Sequence, residues 1–509
     1  MKTNPFLPHL ILSLLLLASV GAANLPSQAA TIAVTTSIDI VSMDGQCSLR
    51  EAVIAANRDS PFSDCPAGSG ADTIDLSGLP TPVTFSLTLA GANEDASLSG
   101  DLDISSSLTI QGAGLGNSVI DGEGIDRIFQ VLSGARLTLS GLTVQNGNPP
   151  GGEGGGIKVQ GSLVMIDSAV QDNLGGGIAN LGGSLTLNAV QINGNAGGYA
   201  IRNLNHGVLI FTGGQVSANQ GGGIYNNAST ATLTALTISD NTGGGGIVNT
   251  GFSLANLTLN QSQVTSNTAA SGGGIFNEGV GAVVKVYDST LSRNGATFGG
   301  GGVLNNGIMV LQGSTLDHNQ ARTGGGIDHL GGNLQLTNVT FSANSALDNG
   351  GGLYNRSDAT LTNVTLNANA ASGLGSGGNL FNDSAQVIFR NTIVANSPDG
   401  NCVNSEGFIT SSGHNLESGD TCGFHAVGDQ VNTDPLLGPL QNNGGYTYTQ
   451  ALLPGSPAID QGDNALCPAV DQRGVSRPQG AACDVGAYEY GGEPPVQKYL
   501  LYLPLVMGR

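Results

Sequence analysis

Between residues 151 and 396 apolar and polar positions recur in one order. A glycine run ends at an aliphatic residue, an Asn follows two positions on, a short stretch alternates apolar and polar, and the unit closes on apolar-x-x-Asn. Gly221 to Asn241, GGGIYNNASTATLTALTISDN, shows the unit complete, and ten such units superpose. The closing residues are Asn173, Asn195, Asn219, Asn241, Asn267, Asn294, Asn319, Asn344, Asn369 and Asn396. Three positions before each stands an apolar residue, from Val170 through Ile238 to Ile393, and eight positions before stands another, from Met165 through Leu233 to Ile388. A second column runs Asn180, Asn203, Asn226, Asn249, Asn277, Asn305, Asn355, Asn382, with His329 replacing one Asn.

A period of roughly 21 to 28 residues predicts a solenoid, whose units bury their apolar faces on one another. Short period-2 strands with glycine or Asn at the corners predict β coils rather than helical repeats. The expected fold is therefore all-β, a right-handed parallel β-helix with a short N-terminal capping helix and a disulfide-stapled C-terminal cap. Aligned asparagines are expected to stack as internal amide ladders. The glycines mark corners that need positive φ or have no room for a Cβ.

The ends of the chain read differently. Residues 1–30 carry Lys2, an apolar stretch from Leu10 to Ala23 and then small residues, which predicts a secretory signal and not a membrane span. Residues 31–71 contain the one convincing amphipathic helix, CSLREAVIAAN from Cys47 to Asn57, with Ser48 and Glu51 spaced as a capping box. Such a helix is expected to cover the first open coil. Glu51 is read as the cap and Arg50 as a solvated or paired surface charge. The β-helix is assigned to 72–396, with less regular coils before Pro149 and Pro150. Residues 397–490 form a Pro-containing C-terminal domain, and 491–509 form a Pro-rich spacer and a short apolar tail, expected either to sort or anchor the protein or to pack as an extra strand.

Three stretches carry family resemblances. Cys47 to Ala52 spell CSLREA, and their place between a signal and β-rich repeats resembles the CSLREA-domain family of secreted bacterial proteins. The repeated GGGI and apolar-x-x-Asn units resemble those of chlamydial-type polymorphic outer-membrane proteins, which implies a right-handed parallel β-helix and adhesive roles. DPLLGPLQNNGGYTYTQALLPGSPAID (Asp434 to Asp460) and DQRGVSRPQGAACDVGAYEY (Asp471 to Tyr490) resemble the choice-of-anchor Q domain of bacterial surface and secreted proteins. Nothing after Asn396 resembles a membrane-barrel translocator.

Composition narrows the function. The six cysteines fall in close pairs, Cys47 with Cys65, Cys402 with Cys422 and Cys467 with Cys483, and none has CxxC spacing. Three local disulfides are expected, formed outside the cytoplasm. A net charge of −21 with only 16 Lys plus Arg argues against nucleic acid and anionic membranes. The expected location is secreted or at the cell surface, and the expected partner is a polysaccharide or another surface molecule.

Catalysis needs convergent groups. A polysaccharide lyase needs a carboxylate cluster for Ca²⁺ with a base beside it, and a glycoside hydrolase needs paired carboxylates in one groove. Acids in the array are scattered singly, so no catalytic residue is assigned and no cofactor is expected, with Ca²⁺ left open. The residual constellation is Asp317, His318, Arg322, Asp328 and His329, with Arg356 in the next coil, where two Asp-His pairs would suit a metal or acid/base work. Against it, His329 stands in an Asn column, and Asp317-His318 occupies a variable outward pair.

One corner also grows. From closing Asn to the next post-glycine aliphatic the step rises from 5 residues (173 to 178) to 11 (369 to 380). Either these loops form a ridge bordering a groove, with Phe298, Arg322 and Asp348 exposed, or a solvent-facing corner has drifted. The expected function is structural, adhesive or glycan-contacting. The alternative is a carbohydrate-active enzyme working in a groove on the helix.

Overall fold

The computed structural model describes residues 29–91, 94–251, 254–373 and 376–495. Nearly all of the expected signal segment and the apolar end of the tail lie outside them. Each coil contributes three strands, as in Ile157–Val159, Ser162–Ile166 and Ala169–Gln171, and each strand pairs in parallel with its equivalent one coil away. Three parallel sheets result, wrapped around one core. Val216, Ile238 and Val264 are direct neighbours in the third sheet and are wholly buried.

Side-chain alternation explains the core. In Thr230–Ser239, Ala231, Leu233, Leu236 and Ile238 point inward while Thr232 and Thr237 point out. Between Thr234 and Leu236 the chain turns at Ala235, φ 55°, so the strands of the second and third sheets meet at a corner in the left-handed region. Glycines at the opposite corner have both expected causes. Gly324 has φ 59°, and a Cβ on Gly326 would collide with the carbonyl of Gly352.

Both amide ladders form. Nδ2 of Asn241 donates to Oδ1 of Asn267 at 2.9 Å, Asn267 donates to Asn294 at 3.1 Å, and the chain runs unbroken from Asn173 to Asn369. Asn396 does not continue it. It is exposed and donates instead to Asn367, while Asn369 donates to Asn379, Asn379 to Asn401, and Asn401 to the buried Glu417. The cause is a one-residue slip in the last unit: Leu366 pairs with Val394 and Leu361 with Phe389, so Ile393 and Ile388 are not in the inward columns. Continuous apolar runs at 387–389 and 393–395 leave the register unspecified by pattern. Ile393 is buried all the same, because its outward face packs against Leu452, Ala458 and Val485.

The ends extend the coil further than 72–396. Thr31–Ala33 already pairs with Asp72–Asp75 in the second sheet, and Cys402–Ser405, Phe408–Ser411 and Leu416–Glu417 add a coil beyond residue 396. The helix Leu49–Arg58 lies over the N-terminal end, with Leu49, Ala52, Val53 and Ala56 in the core and the Ser48–Glu51 capping box made. Arg50 is not a surface charge. It is fully buried, pairs with Asp39 at 2.6 Å, and donates to the carbonyls of Ser97 and Gly100, stitching the helix to the loop that precedes the strand Leu102–Ile104. A buried guanidinium with one carboxylate and these carbonyls has its donors satisfied, the condition under which a buried charge is tolerated.

At the other end, Cys422, Phe424 and Val431 close the core, stapled by the Cys402–Cys422 disulfide. Beyond them the chain turns back and lies along the outer face of the third sheet. Asn338, Asn363 and Asn391, at successive corners, donate to the carbonyls of Val470, Asp484 and Asp463, and Thr315 and Thr340 bond to Tyr448 O and Gln472 Oε1. This segment contains the antiparallel pair Leu437–Gln441 and Thr449–Leu452 and the Cys467–Cys483 disulfide. The remaining bridge joins Cys47 to Cys65.

Candidate functional site

The lengthening corner builds a fourth sheet. Thr242–Gly243, Thr268–Ala269, Gly295–Ala296, Gln320–Thr323, Ser345–Asn349 and Ala370–Ala371 stack in parallel beside the C-terminal half of the rod. Extra residues at a corner give enough chain for one more backbone ladder, and stacking then fixes each loop on the next. The ridge carries a shallow trough of about 470 Å³, lined by Thr268, Ala296, Thr297, Gln320, Ser345 and Leu347 among others, none of them charged. Phe298 is 59 % exposed and Leu347 68 % exposed. Arg322, exposed, and Asp348, half-buried, pair at 2.6 Å on neighbouring loops.

Behind the ridge, the outward positions of the first sheet form a column: Arg202, Tyr225, Val248, Phe276, Leu304, Asp328, Tyr354 and Phe381 stand in register. Tyr199 stacks near Tyr225 with ring centroids 5.0 Å apart, and Arg356 lies 4.7 Å above the Tyr354 ring. Asp328 is 1 % exposed, and burial pushes its carboxyl above the usual range. One oxygen accepts from Thr323 Oγ1 at 2.7 Å, the other pairs with Arg356 at 3.3 Å, and Gly299 lies against it. Both oxygens are engaged, so Asp328 ties the fourth sheet to the first.

The five residues singled out by sequence do not meet in one place. Asp317 and His318 form an outward pair, Oδ2 to Nδ1 2.9 Å, with Ser292 Oγ donating to the same oxygen. Here the serine bonds the carboxylate, which is not the serine–imidazole contact of a nucleophilic triad. Arg322 is on the ridge and Asp328 is under it. His329, next in the chain but on the opposite face of the strand, is wholly buried in the second ladder. Its Nδ1 accepts from Asn305 Nδ2 at 3.0 Å and its Nε2 reaches the Asp358 carbonyl at 3.2 Å, so the ring is neutral with hydrogen on Nε2, and burial holds its pKa down. The imidazole passes nothing on to Asn355, whose buried Oδ1 has no partner.

A charged cluster that the sequence did not single out stands near the N-terminal end. Asp103 and Gln130 occupy the same outward column as Asp328. The loop from Glu94 to Asp101 folds over them: Ser97 N donates to Asp103 Oδ2, Gln130 Nε2 donates to Asp95, and Arg127 pairs with Asp101 at 3.3 Å. Burial, and then the neighbouring Asp101 charge, raises the Asp103 carboxyl to about 8, and burial raises Asp101 to about 6. Repeated carboxylates at Glu94, Asp95, Asp101 and Asp103 were the available signal. Among the described residues no group of three or more His, Cys, Asp or Glu is arranged to hold a metal ion.

No family model matches the chain, and no curated protein matches it. Among solved structures the chain is similar to one described as the crystal structure of pectate lyase Pel9A, with 14% sequence identity and a TM-score of 0.32, over 90% of this chain and 96% of that one. At that score the likeness bears on neither substrate nor mechanism.

Proposed function

We propose that this protein is an exported β-helical scaffold that holds a polysaccharide or another surface molecule along its C-terminal half, in an adhesive or structural role. The observation that carries this is the fourth sheet with its uncharged trough. Stacked hydroxyl, amide and methyl groups, repeated about every 4.8 Å along the axis, offer a polymer lying parallel to the rod both hydrogen bonds and apolar contact. Phe298 and Leu347 supply exposed apolar surface beside the trough, of the kind that marks recognition sites when held on a rigid frame. Three disulfides support formation in an oxidising compartment. No helix among the described residues is long and apolar enough to cross a membrane. The CSLREA and choice-of-anchor resemblances support the same placement outside the cytoplasm.

The test is a glycan array probed with the full chain, followed by titration of each hit with a Phe298→Ala/Leu347→Ala double variant. A loss of about tenfold or more in affinity with unchanged thermal stability is expected. Absence of binding to any glycan or cell-envelope polysaccharide would overturn the glycan reading and leave a non-glycan surface molecule as the occupant. Release of unsaturated sugars or new reducing ends would favour the enzyme alternative.

A further inference from the structure

The corner column between the second and third sheets shows where the folded-back segment ends. Asp288, Gly313, Asn338, Asn363 and Asn391 occupy successive left-handed corners, φ 48° to 64°. The last three donate to the segment, and Gly313 accepts from Thr447 Oγ1 through its carbonyl. Asp288 stands one coil further, at the margin, and there the two parts leave a crevice of about 480 Å³. Asp288, Gln312, Gly313 and Asn338 line one side, and Tyr446 and the stretch from Val470 to Gly474 line the other.

Two acceptors at this crevice, the Asp288 carboxylate and Asn338 Oδ1, have no protein donor among the described residues. No hydrogen-bond donor reaches the Asp288 carboxylate among the described residues, and burial alone pushes its pKa up. Asn338 gives its Nδ2 to Val470, while its Oδ1 is buried and unpartnered, in a side chain 1 % exposed. A side chain at Gly313 would fill the space against the Asp288 carboxylate, so glycine leaves that face open. The nearby cation is already used. Arg473 is 4 % exposed, bonded to Asp471 and the Glu489 carbonyl, and stacked 3.6 Å from the Tyr488 ring centroid. Such a site disfavours anions. It holds too few carboxylates for Ca²⁺, which takes six to eight oxygens, commonly from several acids. Hydroxyl donors fit it, and Tyr446, 44 % exposed, offers a ring to the C–H face of a sugar. The volume falls within the range of small-ligand sites, roughly 300–1,000 Å³.

We propose that the crevice at Asp288, Asn338 and Tyr446 is a second binding site, distinct from the ridge, for the end of a neutral, hydroxyl-rich glycan. The inference rests on the glycan-contacting role proposed above, and the experiment separates the two. Neutral oligosaccharides built from glucose, galactose, mannose or xylose are titrated into the full chain, its Asp288→Ala and Tyr446→Ala variants, and the Phe298→Ala/Leu347→Ala ridge variant. For at least one neutral ligand, both crevice variants are expected to lose about tenfold or more in affinity while the ridge variant keeps it. Asp288 stands at φ 49°, where Ala is more strained than Asp, so each titration is paired with a thermal midpoint, and Tyr446→Ala tests the crevice without touching that corner. Loss of all glycan binding in the ridge variant with none in the crevice variants would overturn the crevice and leave the ridge standing. Binding of acidic glycans only, or a Ca²⁺-induced stabilisation abolished by Asp288→Ala, would also overturn it. A wild-type chain that binds no glycan removes the crevice proposal and the glycan reading of the ridge.

Discussion

The Asn267 side chain accepts from the backbone and side-chain amides of Asn241 and donates to Asn294 and Ile238. Asn267→Ala therefore strands buried groups on both neighbours, each costing about 1–3 kcal/mol. Urea unfolding is expected to show a loss of roughly 2–4 kcal/mol, against about 1 kcal/mol for the exposed Asn396→Ala, which gives up one bond to Asn367 and a left-handed corner at φ 55°. At His329 the ladder is interrupted, and His329→Asn would let the new amide donate to Asn355 Oδ1. A gain of about 1 kcal/mol is expected at neutral pH. Because the folded-state pKa of His329 lies below its ordinary value of 6.5, the unfolded chain takes up the proton first. The wild type should lose stability relative to His329→Asn as pH falls below about 6.5. A difference between the two proteins that stays flat with pH would contradict the neutral buried ring.

Among the elements, the strand Leu102–Ile104 with the loop from Glu94 to Asp101 over it is the one whose charges oppose its packing. A carboxyl raised to about 8 in the fold and ordinary when unfolded gives the native state the extra proton. Stability contributed by this group is present at acid pH and is lost as pH rises from about 4 towards 8. Asp103→Asn is expected to raise the thermal midpoint at pH 8 and to flatten the profile below it. The fourth sheet shows a different economy. Its loops lengthen step by step, and that drift was visible in the chain as residue counts, although a sheet was not foreseen because Gln-Ala-Arg-Thr or Ser-Ala-Leu-Asp carries no strand signature of its own. Backbone ladders that form only because their neighbours are already aligned leave little trace in side-chain pattern.

For the molecule as a whole, the repeat was legible because each coil obeys the same inward rule as the next. Legibility ended where a second layer of chain covered the outside. Ile393 points away from the coil and is nevertheless buried, and Thr315, Thr340 and Asn363 look like solvent-facing residues until the segment lying on them is known. Likewise the proposed site residues were scattered, since Asp328 and His329 are consecutive but face opposite sides of one strand. Gln472 pins the second layer. It is 4 % exposed, donates to Thr315 and Thr447, and accepts from Thr340. Gln472→Ala is expected to speed hydrogen exchange and proteolysis across 431–495 by about ten- to a hundredfold, with the coils before Asn319 unchanged. Uniform loosening along the rod would show that the layer and the coils open as one unit.

The returning segment also sets how the rod bears load. A solenoid pulled from its final turn peels open one rung after another, each rung failing alone at low force. Here tension entering from the C-terminus reaches the flank first, through Asn391, Asn363, Asn338, Thr340 and Thr315, whose bonds lie side by side over several turns. Those bonds must break before the terminal turn feels the pull.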